Sequence, residues 1–184
     1  MPRSWRRPRP ESTPVRVLGI DPGTAVLGYG VVESGTGTHP RLLECGTLTT
    51  AARDALPARL RVIHDGTAAL LARHTPDAVA VESAFYGKNV RTTVVLSHAR
   101  GVILLAAEQA GVAIAEYSPA QVKKTVVGRG AALKPQVGYM VAQLLRLRTP
   151  PEPADAADGV AVALAHLLIA TRRSAFYRQV TGTR

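Results

Sequence analysis

Cysteine occurs once in 184 residues, as Cys45, which excludes an internal disulfide framework and a multi-cysteine zinc site. A reducing, cytoplasmic setting is the default expectation for such a chain. Aromatic residues make up only 4% of the sequence, with two Phe and one Trp. No apolar run reaches the roughly 18 residues of a membrane span. The first 14 residues, MPRSWRRPRPESTP, lack the apolar segment of a secretory signal. Acids are scarce too: 13 Asp plus Glu face 23 Lys plus Arg, a net charge of +10.

Residues 1–14 supply +3 of that charge, so the rest of the chain is itself basic at +7. A basic surface suits a polyanionic partner, because Lys and Arg release counterions condensed on phosphates. Charge alone describes a generic basic protein equally well. Apolar residues are 46% of the chain, enough for one domain with a real core. Four prolines and no apolar period mark 1–14 as a disordered basic tail, and RRSAFYRQVTGTR from Arg172 reads as a second, fraying one. The expected domain is 15–171.

Within it, Val15–Ile20, Ala25–Glu33 and Arg41–Thr49 read as three antiparallel strands in a meander. Apolar positions 56, 60, 63, 67, 70 and 71 predict an amphipathic helix over Leu56–His74. Short strands follow at Ala78–Val81 and Val112–Tyr117, separated by a polar loop at Phe85–Val90 and a long helix at Thr92–Ala110. Helices are expected at Pro119–Val127, Pro135–Leu147 and Ala154–Ala170, with GRGAALK (128–134) a basic, mobile loop. The expectation is an α/β fold: a five-stranded mixed sheet, three antiparallel strands then two parallel, with helices on both faces.

Four acids stand out. Asp21 ends the apolar run RVLGID, and Glu82 ends AVAVE. Side chains at the carboxyl ends of strands in an α/β sheet meet in a crevice where ligands bind. Asp155 and Asp158, in PADAADGVAVALAH, are three apart at a helix start and share a face. Each has an ordinary alternative: Asp-Pro-Gly is common turn chemistry, Asp155 an N-cap, and Asp158 a complement to the helix dipole. Four gathered carboxylates repel unless a cation neutralises them, and oxygen ligands without a Cys or His cluster favour Mg²⁺ or Mn²⁺ over zinc. Two such ions activate water and stabilise the leaving oxygen of a phosphodiester. A basic chain with an acidic metal site suggests a nuclease.

The segments LGIDPGT, GYGVV, AVAVESAFYGKNV, LSHARGV, EYSPAQVKKTVVGRG and ADAADGVAVALAH, in this order and spacing, resemble the RuvC family of bacterial Holliday junction resolvases. The resemblance covers about residues 15–170. It implies a ribonuclease-H-like fold, a homodimer and cleavage of four-way junction DNA with two Mg²⁺ or Mn²⁺ ions per active site. It further implies that Asp21, Glu82, Asp155 and Asp158 are catalytic and bind the metals. Phe85 matches the family's aromatic residue after the catalytic Glu, placed to stack on junction bases. Lys123 and Lys134 match its basic positions. Lys88, Arg91, Lys124 and Arg129 are further candidates for contacts to the DNA backbone. The family's usual partner is a branch-migration helicase complex of the RuvA–RuvB type.

Two more expectations concern helices. Thr92–Ala110 is apolar around much of its circumference, which makes it the candidate dimer surface or else a central helix buried in one subunit. His166 follows Asp158 by eight residues and reads as a packed helix histidine, with a place near the metals the alternative. Rival functions are a sugar-kinase or actin-like ATPase, which shares the Ile20–Thr24 pattern but usually duplicates the fold, a non-catalytic junction-binding module, and another ribonuclease-H-like nuclease.

Overall fold

A computed structural model describes residues 14–35, 39–83 and 90–181, apart from the side chains of Arg91 and of 172–181. Its elements are β1 (Arg16–Asp21), β2 (Val26–Glu33), β3 (Arg41–Thr49), α1 (Leu56–His74), β4 (Ala78–Glu82), α2 (Val90–Gln109), β5 (Ala113–Tyr117), α3 (Pro119–Val127), α4 (Lys134–Leu145) and α5 (Ala154–Thr181). The strands form one sheet in the order β3-β2-β1-β4-β5. Pairing is antiparallel from β3 through β2 to β1 and parallel from β1 through β4 to β5. The expected mixed sheet is therefore present.

Side chains alternate across a strand, so each strand feeds two cores. Leu18, Ile20, Leu27, Val31, Val79 and Val81 pack beneath α1 and α2. On the opposite face Val17, Val32 and Ala80 meet α5, with α3 and α4 outside it. Asp21 is in phase with Val17, and Glu82 with Ala80. Both acids therefore point to the α5 face.

On that face α5 approaches the sheet backbone almost without intervening side chains. A Cβ on Gly28 would fall 1.8 Å from the Asp155 carbonyl oxygen, and one on Gly19 2.3 Å from the Gly159 oxygen. From the helix side, a Cβ on Gly159 would lie 2.5 Å from the Tyr29 Cα. Glycines on both surfaces set the height and register of α5, and so the positions of its two aspartates. Gly28 pairs directly with Asp21 across β1 and β2, which brings the start of α5 beside the end of β1.

The helices begin and end where local chemistry requires. Ser118 caps α3: its Oγ accepts from the Gln121 N–H at 3.2 Å, and Gln121 Oε1 accepts from the Ser118 N–H at 2.8 Å. The Leu133 N–H donates to Gln136 Oε1 at 3.0 Å, so α4 starts at Lys134 and ends in a left-handed Arg146. Buried Ala132 anchors the segment expected to be a mobile loop.

Two helix boundaries and one hydropathy reading differ from expectation. Helix α2 starts at Val90, inside the expected polar loop. Helix α5 continues past Ala170 to Thr181, because RRSAFYRQVT contains no Gly or Pro to stop it. Over Ala154–Thr171 α5 is also apolar enough, by length and composition, to cross a membrane, contrary to the sequence reading; 56% of that window is buried against the sheet and its neighbouring helices.

Candidate active site

The carboxyl ends of β1 and β4 lie side by side in parallel register, with Ile20 opposite Val81, so Asp21 and Glu82 occupy adjacent strand ends. They share a cavity of about 120 Å³ with Asp158, Lys123 and Lys134. Lys123 reaches it from capped α3, and Lys134 from the first residue of α4. Lys134 Nζ donates to Asp158 Oδ2 at 2.6 Å. Asp155 stands one turn before Asp158 and acts on Asp21 through its charge. Because α5 begins at Ala154, Asp155 lies within the first turn and is not the N-cap.

Electrostatics confirm that these groups sense one another. Burial, then the negative charge of Asp158, pushes Asp21 up to about 6, with Lys134 acting in the opposite direction. Burial and the charges of Asp21 and Asp158 push Glu82 up to about 7, opposed by Lys123 and Lys134. The hydrogen bond to Asp158 raises Lys134 above its ordinary value. At neutral pH Asp21 is then mostly ionised and Glu82 only partly so, and a nearby cation favours the ionised form of both.

All four acids offer hard oxygen donors, a set that fits a divalent cation such as Mg²⁺ or Mn²⁺. Among the described residues no three His, Cys, Asp or Glu side chains are drawn together closely enough to hold a metal. Mutual repulsion opposes their convergence, and Lys134 holds Asp158. The donor chemistry fits, and Lys134 serves as the counter-charge in this arrangement.

Other predicted residues divide sharply. Lys124 and Arg129 are exposed, and neither lines this cavity. Phe85 and Lys88 lie outside the described residues, as does the Arg91 side chain. His166 is in the packed role expected of it: Nδ1 is 2.9 Å from the Tyr117 hydroxyl, the rings meet edge to face, and burial lowers its pKa.

Sequence reasoning missed Ser83 and Arg100. They line a second cavity of about 230 Å³ with Asp21 and Glu82, on the α2 side. The signal was weak: LSHARGV places an Arg on a long apolar helix, but nothing in that stretch tells which residues the helix faces.

A family model described as "Crossover junction endodeoxyribonuclease RuvC" matches residues 17–166. A relative of that name from Syntrophomonas wolfei is 49% identical over 153 residues, covering 83% of this chain and 88% of its own length. The solved RuvC structure from Thermus thermophilus superposes with a TM-score of 0.79 at 38% identity, covering 86% of this chain and 96% of that one. A second structure of T. thermophilus RuvC, in complex with Holliday junction substrate, gives a TM-score of 0.78 at 34% identity with the same coverage. The family model and these relatives span most of the chain, and the chain belongs to the RuvC family.

Proposed function

We propose that this chain is a structure-selective DNA endonuclease that resolves Holliday junctions by paired, symmetric nicks. The observation that carries this reading is the gathering of Asp21, Glu82 and Asp158 around one cavity, with Asp155 beside them, in a member of this family. Asp21, Glu82, Asp155 and Asp158 would hold two Mg²⁺ or Mn²⁺ ions. Such ions supply an activated water and stabilise the leaving oxygen of the phosphodiester.

The chain's own residues do the remaining work. Asp21 and Glu82, fixed at strand ends, present their oxygens from a rigid floor, and close packing of α5 on glycines holds Asp155 and Asp158 opposite. Lys123 and Lys134 flank the scissile phosphate and offset charge that develops on it. Lys134 exchanges its carboxylate partner for phosphate when DNA enters. The products are a 5′-phosphate and a 3′-hydroxyl, which a ligase can rejoin. Phe85 stacks on unpaired bases at the junction centre, a contact worth roughly 1–3 kcal/mol per base. Lys88, Arg91, Lys124 and Arg129 follow the outer phosphates.

Resolution needs two matched cuts, which a two-fold dimer provides. The exposed apolar face of α2 supports that assembly: Val90, Val94 and Leu105 are 74%, 49% and 50% exposed on one chain. A branch-migration helicase complex is the expected partner in recombination and repair.

The test is cleavage of a synthetic four-way junction with added Mg²⁺. Paired nicks are expected from the unmutated chain, and Asp21→Asn and Glu82→Gln should bind the junction without cutting it. Full activity in either variant refutes the metal assignment. Cleavage of an RNA–DNA hybrid in preference to the junction refutes the substrate assignment.

A further inference from the structure

Lys123 and Lys134 line one cavity with the acids. A second cavity, of about 230 Å³, shares Asp21 and Glu82 with it and adds Ser83, Leu96 and Arg100 to its lining. Among its described lining residues, the cation is Arg100, from the middle of α2.

The guanidinium is held from behind. Glu116 of β5 accepts from both Nε, at 2.7 Å, and Nη2 on the single oxygen Oε2. A guanidinium carries five N–H donors in a fixed fork. Two are used by Glu116, and the other three have no hydrogen-bond partner among the described residues. The side chain is 30% exposed, and its ion pair is with Glu116, not with Asp21 or Glu82. The floor of the cavity is also fixed, since the Ser83 N–H donates to the Tyr117 carbonyl at 2.8 Å and extends the β4–β5 pairing to the strand end. An oriented guanidinium fork above a rigid floor is a geometry for phosphate.

We propose that this cavity is a second phosphate subsite, in which Arg100, oriented by Glu116, grips a non-scissile phosphate of the strand lying across Asp21 and Glu82. The assignment rests on the nuclease reading above and adds to it the direction in which the strand leaves the site. Arg100 binds DNA directly; Glu116 is a positioning residue.

The test measures junction affinity over a salt series in EDTA, where no cleavage occurs. Arg100→Gln, which keeps an amide donor toward Glu116, should weaken binding and flatten the slope of log K against log salt by about 0.9 for each site engaged. Arg100→Lys should restore the slope. Glu116→Gln should keep it, because the cation remains. If Arg100 only braces α2 against β5, Arg100→Gln and Glu116→Gln will lower thermal stability alike and neither will change the slope, which overturns the proposal. Should Arg100→Gln fail to fold, single neutral methylphosphonate linkages in the junction serve instead. One position flanking the scissile phosphate should weaken binding to the unmutated chain and, because an ammonium still pairs with that phosphate, to Arg100→Lys as well. No sensitive flanking position overturns the subsite. Failure of the unmutated chain to cut with Mg²⁺ removes the nuclease reading, whereas an unchanged slope in Arg100→Gln removes this subsite alone.

Discussion

Replacing Asp21 with Asn should stabilise the metal-free protein at neutral pH, although on the proposed mechanism it should abolish cutting. In the folded chain the carboxyl titrates at about 6 instead of 3.8, mainly because it is buried and secondarily because Asp158 is near. A folded-state value above the unfolded one means that the folded chain holds the proton more tightly. The protonated acid therefore contributes stability in full below about pH 4, and that contribution is lost as pH rises through about 6. At about 1.4 kcal/mol per pH unit, moving the titration from 3.8 to about 6 corresponds to about 3 kcal/mol of stability missing from the ionised protein. Asn keeps the shape and carries no charge, so it escapes that penalty. Urea unfolding in EDTA should show Asp21→Asn more stable than the unmutated chain by up to about 3 kcal/mol near pH 8, with the difference shrinking toward pH 4. Mg²⁺ at about 1,000 times its Kd should reverse the order, since it adds about 4.1 kcal/mol to the protein that binds it, more than the deficit of about 3 kcal/mol. An Asn variant no more stable than the parent near pH 8 in EDTA would refute the claim that burial and repulsion load this carboxylate.

Further outcomes follow from the same geometry. Lys134→Ala removes the cation that lowers both Asp21 and Glu82, so carbon-detected NMR titration should find each carboxyl moved further up. Gly28→Ala drives a methyl into the Asp155 carbonyl; a loss of roughly 1–3 kcal/mol in urea melts is expected from overpacking, together with slower junction cleavage. Leu105→Asp places a charge on the exposed apolar face of α2 and should yield a folded monomer by sedimentation; an intact dimer would assign the interface elsewhere.

Much of this protein is determined locally. The meander, the amphipathic spacing of α1, the Ser-Pro start of α3 and the apolar strands β1 and β4 follow from period and turn chemistry, which act over a few residues. The two acids that terminate those strands were visible for the same reason: a carboxylate closing a buried run stands out against its neighbours. Even the face they share follows from alternation, once Val17 and Ala80 are known to lie under α5. Where α2 begins and α5 ends was misread because composition marked 85–90 and 172–181 as polar, whereas a helix persists until a residue breaks it.

The tertiary structure alone decided what lies opposite the acids. No local pattern reveals that Gly28 and Gly159 are spaces for a neighbouring backbone, that Lys134 pairs with Asp158 across 24 positions, or that Arg100 turns toward the strand ends and is held by Glu116. Those contacts join segments far apart in the chain, and their energies depend on burial and on distances between charges. Neither quantity exists until the helices have closed over the sheet.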